Sequence, residues 1–251
     1  MIRSAHGVAR LLAVVAHVFH GVWIAARHFG PSSEEAHRHR LITWWSAGLL
    51  RRLGVRLGSE GACPDGGHLL VANHVSWLDI IAVHAVCPHA RFVSKADVKR
   101  WPVLGWLIGA AGTLFIERES KRDALRVVHE MAAALQSGQT VAVFPEGTTS
   151  DGAAVLPFHA NLLQAAVTTN TPVQPLVLRY AEPGHAVSPR AAYIGDTSLL
   201  QSLWWIATAR ELTVHVRLLP VVSTTGLERR ALARTLEERI AAVLSHPDRK
   251  R

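Results

Sequence analysis

Cysteine and tyrosine each occur only twice in 251 residues, and acidic side chains are scarce, with 19 Asp and Glu against 27 Lys and Arg. Two cysteines, Cys63 and Cys87, are too few for a disulfide scaffold and lack the paired spacing of a metal knuckle. The 15 histidines include no His-Glu-x-x-His and no paired-ligand spacing, so no metal is expected. No G-x-S-x-G nucleophile elbow occurs, which leaves a serine-hydrolase reading without support. Internal repeats, low-complexity tracts and long linkers are also missing, so a single α/β unit with an N-terminal appendage is the simplest organisation.

What is present narrows the class. Hydrophobic residues make up 49% of the chain, enough apolar surface to exclude intrinsic disorder. The formal charge is +8, and there are 8 tryptophans. A basic balance of this size suits nucleic acid, anionic membrane or acidic partners, and only its placement separates them. Residues 1–60 hold 8 Lys and Arg against 3 Asp and Glu, so five of the eight excess positive charges lie there. Trp23, Trp44 and Trp45 lie in the same stretch. No segment has a dense basic face with interleaved aromatics, so no nucleic-acid partner is expected.

Two apolar runs explain that bias. Residues 11–26 are bounded by Arg10 and Arg27, and residues 41–50 are flanked by Arg38, Arg40, Arg51 and Arg52. Sixteen helical residues rise roughly 24 Å, short of the roughly 30 Å hydrocarbon core of a bilayer. Basic ends and Trp anchors suit the membrane interface. Residues 1–60 are therefore expected to form a monotopic two-helix hairpin on anionic lipid at the cytoplasmic face of the cell membrane. A helical pair packed on the domain, or a cleaved signal peptide, are the competing readings. Residues 61–251 would form the α/β domain.

In that domain, short apolar runs alternate with helical patterns, which predicts βαβ units and a single mostly parallel sheet flanked by helices. Strands are expected over residues 69–72, 91–93, 113–116, 141–144, 173–178, 191–194 and 212–219. Helices are expected over 78–87, 102–110, 123–136, 157–168, 198–207 and 227–244. Residues 91–110 combine Lys95, Lys99, Arg100, Trp101 and Trp106 with an apolar run. They suit either a membrane-facing surface that guides an acyl chain or an amphipathic helix on the sheet.

Three stretches carry candidate chemistry. Residues 68–81 read HLLVANHVSWLDII, placing His74 just past a strand and Asp79 in the first turn of a helix. A carboxylate that accepts one imidazole N–H fixes the tautomer and leaves the other nitrogen free as a base. Asp79 also completes a Ser76-x-x-Asp79 capping pattern, which needs no catalysis. Residues 112–118 read GTLFIER and end in Arg118, suited to grip a phosphate or carboxylate. Residues 143–152 read VFPEGTTSDG, where Glu146, Gly147, Thr148 and Thr149 form a loop of backbone N–H groups and hydroxyls suited to an anion. That loop also reads as an ordinary turn. All three stretches follow predicted strands and so share one sheet edge.

With NHVSWLD, GTLFIER, FPEGTTS and TPVQPL (residues 171–176) in this order, the sequence resembles the glycerophospholipid acyltransferases, typified by 1-acyl-sn-glycerol-3-phosphate acyltransferase. The resemblance spans about residues 69–178. It implies the glycerolipid acyltransferase fold and acyl transfer from acyl-CoA or acyl-carrier protein to a lysolipid hydroxyl, with no cofactor beyond the donor. His74 would be the base and Asp79 its orienting partner. Arg118, Glu146, Gly147, Thr148 and Thr149 would bind the acceptor, and Pro175 would belong to the fourth block. The acceptor first implied is 1-acyl-sn-glycerol-3-phosphate, giving phosphatidic acid. Two departures point elsewhere: Thr149 stands where the third block usually has Arg, and residues 156–163 read LPFHANLL where Lys and Gly are usual. These resemble the branch that acylates lyso-ornithine lipid, where Arg118 would meet the ornithine carboxylate. A non-catalytic membrane-binding protein is the alternative of another class.

Overall fold

The structure is a computed structural model and describes residues 2–30, 33–100, 103–116 and 121–245. Strand β2, Leu69–Ala72, is buried at all four positions, as a central strand covered on both faces must be. Leu70 and Ala72 point into one apolar layer and Leu69 and Val71 into the other. Around it are β1 (Arg56–Glu60), β3 (Arg91–Lys95), β4 (Leu114–Ile116), β5 (Val141–Val143), β6 (Val173–Ala181) and β7 (Thr213–Leu218). Among the described residues they form one sheet in the order β1-β7-β6-β2-β5-β3-β4. Every neighbouring pair is parallel except β6 with β7. The expected mostly parallel sheet is what the chain forms.

Helices α3 (Leu78–Val86) and α7 (Leu199–Thr208) cover one face, together with α2 (Glu35–Leu53). On the other face lie α5 (Lys121–Gln136), α6 (Gln164–Thr169) and α8 (Arg229–Ser245). Helix α4 (Leu104–Ala110) follows a short turn of 3₁₀ helix at Ala96–Arg100.

The N-terminal helix α1 spans Ile2–His28, well beyond the 11–26 run. No proline interrupts these residues, and Ser4, His6 and Arg10 are tolerated on a helix surface. The stretch Ser4–His28 is long and apolar enough to cross a bilayer, so the length limit inferred from the run does not apply to the helix. One stripe of α1, including Val14, His17, Ile24 and Ala25, is buried against the protein. Reciprocal hydrogen bonds tie α1 to α2: His17 Nε2 donates to the Trp45 carbonyl at 2.9 Å, and Trp45 Nε1 donates to the His17 carbonyl at 3.1 Å. Trp45 is thus a packing residue, whereas Trp44 remains exposed. Leu49, Leu50 and Leu53 of α2 enter the main core, so α2 is part of the packed body.

Other differences from the sequence expectations have local causes. Residues 56–60 fall within the segment assigned to the helical appendage, yet they form β1 beside β7. Residues 191–194 are not a strand; they cross above the sheet edge, with the Tyr193 amide donating to the Val75 carbonyl at 3.0 Å. Residues 157–163 do not join α6, because their amides have other partners. Phe158 N donates to Glu237 Oε2 at 2.9 Å, and His159 N donates to the Pro145 carbonyl at 2.9 Å. Cys63 and Cys87 are joined as a disulfide, fastening the loop after β1 to the end of α3.

Candidate active site

β2 and β5 are neighbours, yet their outgoing connections leave in opposite directions, β2 through α3 to β3 and β5 through α6 to β6. A crevice opens at such a switch point, beyond the carboxyl ends of the strands. His74 follows β2 into it, and Glu146 follows β5.

His74 Nδ1 lies 2.8 Å from Asp79 Oδ2. The same carboxylate oxygen accepts the backbone N–H groups of Val75 at 2.7 Å and Ser76 at 2.9 Å. Asp79 Oδ1 accepts the phenol of Tyr180 at 2.7 Å. Asp79 is fully buried, so these partners replace the water a carboxylate would otherwise need. One carboxylate oxygen therefore meets both the Ser76 amide at the start of α3 and the imidazole. The Ser76 hydroxyl, by contrast, is buried without a hydrogen-bond partner. With Nδ1–H directed at Asp79, Nε2 keeps its lone pair and can take a proton.

The imidazole is also held by its face. Phe144 stacks on it with centroids 4.0 Å apart and planes 8° from parallel, and Phe92 stacks behind Phe144. The backbone of His74 is pinned from both sides. Its N–H donates to Glu146 Oε1 at 2.7 Å, and its carbonyl accepts Ser150 N at 2.8 Å. Asn73 bridges β2 to β6 by exchanging two hydrogen bonds with Leu178.

Glu146 uses its second oxygen on Leu156 N at 3.1 Å, so its buried carboxylate braces two backbone segments. Burial raises its pKa above the usual value, opposed by the two N–H groups. Gly147 adopts φ 74°, a left-handed conformation that turns the loop sharply and would strain a residue bearing a Cβ. Thr148 is exposed at the cavity mouth. The Thr149 hydroxyl donates to the carbonyl of Tyr193. Glu146, Gly147, Thr148 and Thr149 thus share one loop beside His74, whereas Arg118 lies outside the described residues.

These groups border a cavity of about 840 Å³ that runs from His74 between α1, α2, α3 and α4. Most of its wall is aliphatic or aromatic, with Val14, Ile42, Leu49, Ile81 and Leu107 as examples. Among the described residues lining it there is no lysine or arginine; the ionisable groups are His74, His84, His159, Asp97, Glu146 and Tyr193. His84 is buried, and its pKa is pushed down to about 4 by that burial, opposed by its hydrogen bond to the Ala90 carbonyl. It is a neutral wall group at ordinary pH. An apolar cavity of this volume with His74 at its polar end fits a hydrocarbon chain joined to a reactive head.

Tyr180, Phe144, Asn73 and Tyr193 were not singled out from sequence. Tyr180 had a usable signal: it is one of two tyrosines and continues the period-2 pattern of β6 beyond Leu178.

Comparison with known proteins adds a second line. Residues 55–179 match the profile of the family described as Acyltransferase. A lyso-ornithine lipid O-acyltransferase of Pseudomonas aeruginosa is 37% identical over 238 residues, covering 94% of this chain and 91% of that protein. A 1-acyl-sn-glycerol-3-phosphate acyltransferase of Neisseria meningitidis is 38% identical over 211 residues, covering 83% and 82%. The crystal structure of the 1-acyl-sn-glycerophosphate acyltransferase PlsC from Thermotoga maritima superposes with a TM-score of 0.73 at 24% identity, covering 97% of this chain and 94% of that one. The last likeness establishes the fold.

Proposed function

The chain belongs to the acyltransferase family, and from that premise we propose that it moves a fatty acyl group from a thioester to a lysolipid hydroxyl, with His74 as general base. The observation that carries this reading is the 2.8 Å contact between His74 Nδ1 and Asp79 Oδ2 at the polar end of an apolar cavity. A thioester carbonyl is already electrophilic, whereas an alcohol is a poor nucleophile near neutral pH, so one base meets the need. His74 Nε2 takes the hydroxyl proton as the oxygen attacks the carbonyl carbon. The tetrahedral intermediate then collapses, the C–S bond breaks, and the leaving thiolate receives the proton from the imidazolium. Acyl-CoA or acyl-carrier protein is the donor, and the chain supplies every other group.

A phosphate-free head group, as in lyso-ornithine lipid, is the acceptor favoured by Thr149. Its hydroxyl faces the Tyr193 carbonyl where a cation would be wanted for phosphate. The 94% coverage by the Pseudomonas relative named for that acceptor supports the same choice. The second reading is 1-acyl-sn-glycerol-3-phosphate, giving phosphatidic acid with Arg118 as the cation. It is supported by the Neisseria relative at 38% identity. On either reading Glu146 braces the loop, and Gly147 and Thr148 face the acceptor.

The enzyme works at the cytoplasmic face of the membrane, on anionic lipid. Helix α1 lies along the surface in monotopic fashion, because its inner stripe is packed on the protein over much of its length. Helix α1, within residues 1–60, supplies that contact, while α2, β1 and residues 61–251 build the catalytic body. Thiol release from acyl-CoA, measured with each acceptor in turn, tests the proposal. Wild type is expected to turn over with a lysolipid and His74→Ala to lose at least about a hundredfold in kcat while remaining folded. Thiol release unchanged in His74→Ala would refute the mechanism, and no release with any lysolipid would favour a non-catalytic membrane protein.

A further inference from the structure

Helix α7 lies far from the N-terminal segment in sequence, and nothing in the acyl-transfer chemistry calls on its outer face. Its ten residues, LLQSLWWIAT, carry no ionisable side chain. Leu200 is 79% exposed, and Trp204, one turn further on the same face, is 37% exposed. A solvated helix face of this composition is unusual, because charged residues normally occupy it.

Two contacts fasten α7 to α1. Gly7 allows close approach: a Cβ there would lie 2.7 Å from Thr208 Cγ2 and 3.3 Å from the Trp204 ring. Arg10 Nη1 donates to the carbonyls of Ala207 at 2.8 Å and Ala209 at 3.3 Å, partners that the end of a helix otherwise lacks. From Val8, next to Gly7, an exposed apolar stripe runs along α1 through Leu12, Val15, Phe19 and Trp23. These positions recur every three or four residues and so share one helix face. Trp204 of the outer face of α7 thus lies beside Gly7, one residue from the start of that stripe.

The inner face of α7 meets the site. Leu199 and Leu203 line the cavity, and Ser202 accepts the indole N–H of Trp77 at 3.1 Å, close after His74 in the chain. One helix therefore separates the cavity from the outside.

We propose that α7 is a second membrane-contact element, with Leu200 and Trp204 seated at the boundary of head groups and acyl chains in the leaflet that receives α1. This rests on the membrane placement of α1 proposed above. The occupant is phospholipid because the face is uncharged, carries an indole suited to the interface, and adjoins the start of the α1 stripe at Gly7. The contact sets the cavity wall against the leaflet, so a lysolipid reaches His74 past the thickness of one helix.

The two native cysteines are bonded to each other, so Leu12→Cys and Leu200→Cys variants can each carry a single environment-sensitive thiol label. The full chain is mixed with vesicles of phosphatidylethanolamine and phosphatidylglycerol, with some lipid bearing a nitroxide on its acyl chain. Both labels are expected to shift to the blue and to be quenched by the nitroxide. A shift at Leu12 with an unchanged label at Leu200 overturns the proposal and leaves α1 in the membrane. No shift at either position overturns the membrane placement itself. A concentration-dependent shift at Leu200 without vesicles makes a second copy the occupant and overturns the proposal. As an independent variant, Leu200→Gln should weaken vesicle binding roughly tenfold with an unchanged melting temperature. Unweakened binding would count against a role for this face.

Discussion

Tyr180 donates its phenol hydrogen to Asp79 Oδ1 at 2.7 Å from a strand 101 residues further along the chain. Because Oδ2 is held by His74 and two amides, the carboxylate has no freedom to rotate. Burial, and then the Asp79 charge, push the phenol pKa well above its usual value, so Tyr180 stays a donor throughout the working range. Tyr180→Phe is expected to cost about 1–3 kcal/mol by leaving a buried acceptor unpaired. It should also lower kcat roughly tenfold, as loss of a group that orients an imidazole through its carboxylate does. Urea unfolding and steady-state kinetics on the same preparation check both. An unchanged kcat with reduced stability would limit Tyr180 to a structural role.

Thr149→Arg should raise turnover on 1-acyl-sn-glycerol-3-phosphate relative to lyso-ornithine lipid. A new charged hydrogen bond is typically worth about 1.5–3 kcal/mol, so the ratio should move by roughly tenfold or more. Competition between the two acceptors, read by product mass, measures it. An unmoved ratio would remove Thr149 from the specificity argument.

His84 makes stability depend on pH in a window that can be assigned. Its folded pKa of about 4 lies below the ordinary 6.5, so between those values the unfolded chain binds a proton that the folded chain does not. Its contribution is therefore complete above pH 6.5 and is lost as pH falls towards 4, by roughly 3 kcal/mol. His84→Gln keeps a donor for the Ala90 carbonyl without titrating. The melting temperature of wild type should fall more steeply than that of the variant between pH 7 and pH 5, across the upper part of this window.

Reduction of the Cys63–Cys87 bond, which closes a separation of 24 residues, should lower stability by about 3 kcal/mol. Cys63→Ser is expected to behave like the reduced protein. Guanidinium midpoints with and without reductant provide the measurement, and equal midpoints would show that the bridge does not constrain the unfolded chain.

The arrangement of the candidate site, Arg118 apart, was legible from sequence because its parts are local. His74 and Asp79 are five residues apart at a strand-to-helix junction, and Glu146 to Thr149 form one loop after β5. What was not legible depends on distant partners. β1 reads Arg-Leu-Gly-Ser-Glu and lies largely exposed at the sheet edge, so no apolar alternation marked it. Residues 157–163 have helical composition, but Glu237 and the Pro145 carbonyl bind their amides. Residues 191–194 have strand composition but close over the Thr149 loop, a role that only the folded chain defines. The disulfide likewise depends on bringing the loop after β1 to the end of α3.

The bond from Arg10 to the carbonyl of Ala207 spans 197 positions. During synthesis Arg10 of α1 leaves the ribosome well before Ala207 of α7. At about 5–20 residues per second, roughly 10–40 s pass before the partner of Arg10 and Gly7 exists. In that interval the part of α1 around Gly7 and Arg10 lacks the cover that α7 later provides. The contact between α1 and α7 is thus a late one to close, and it joins a helix made early to one made long after it.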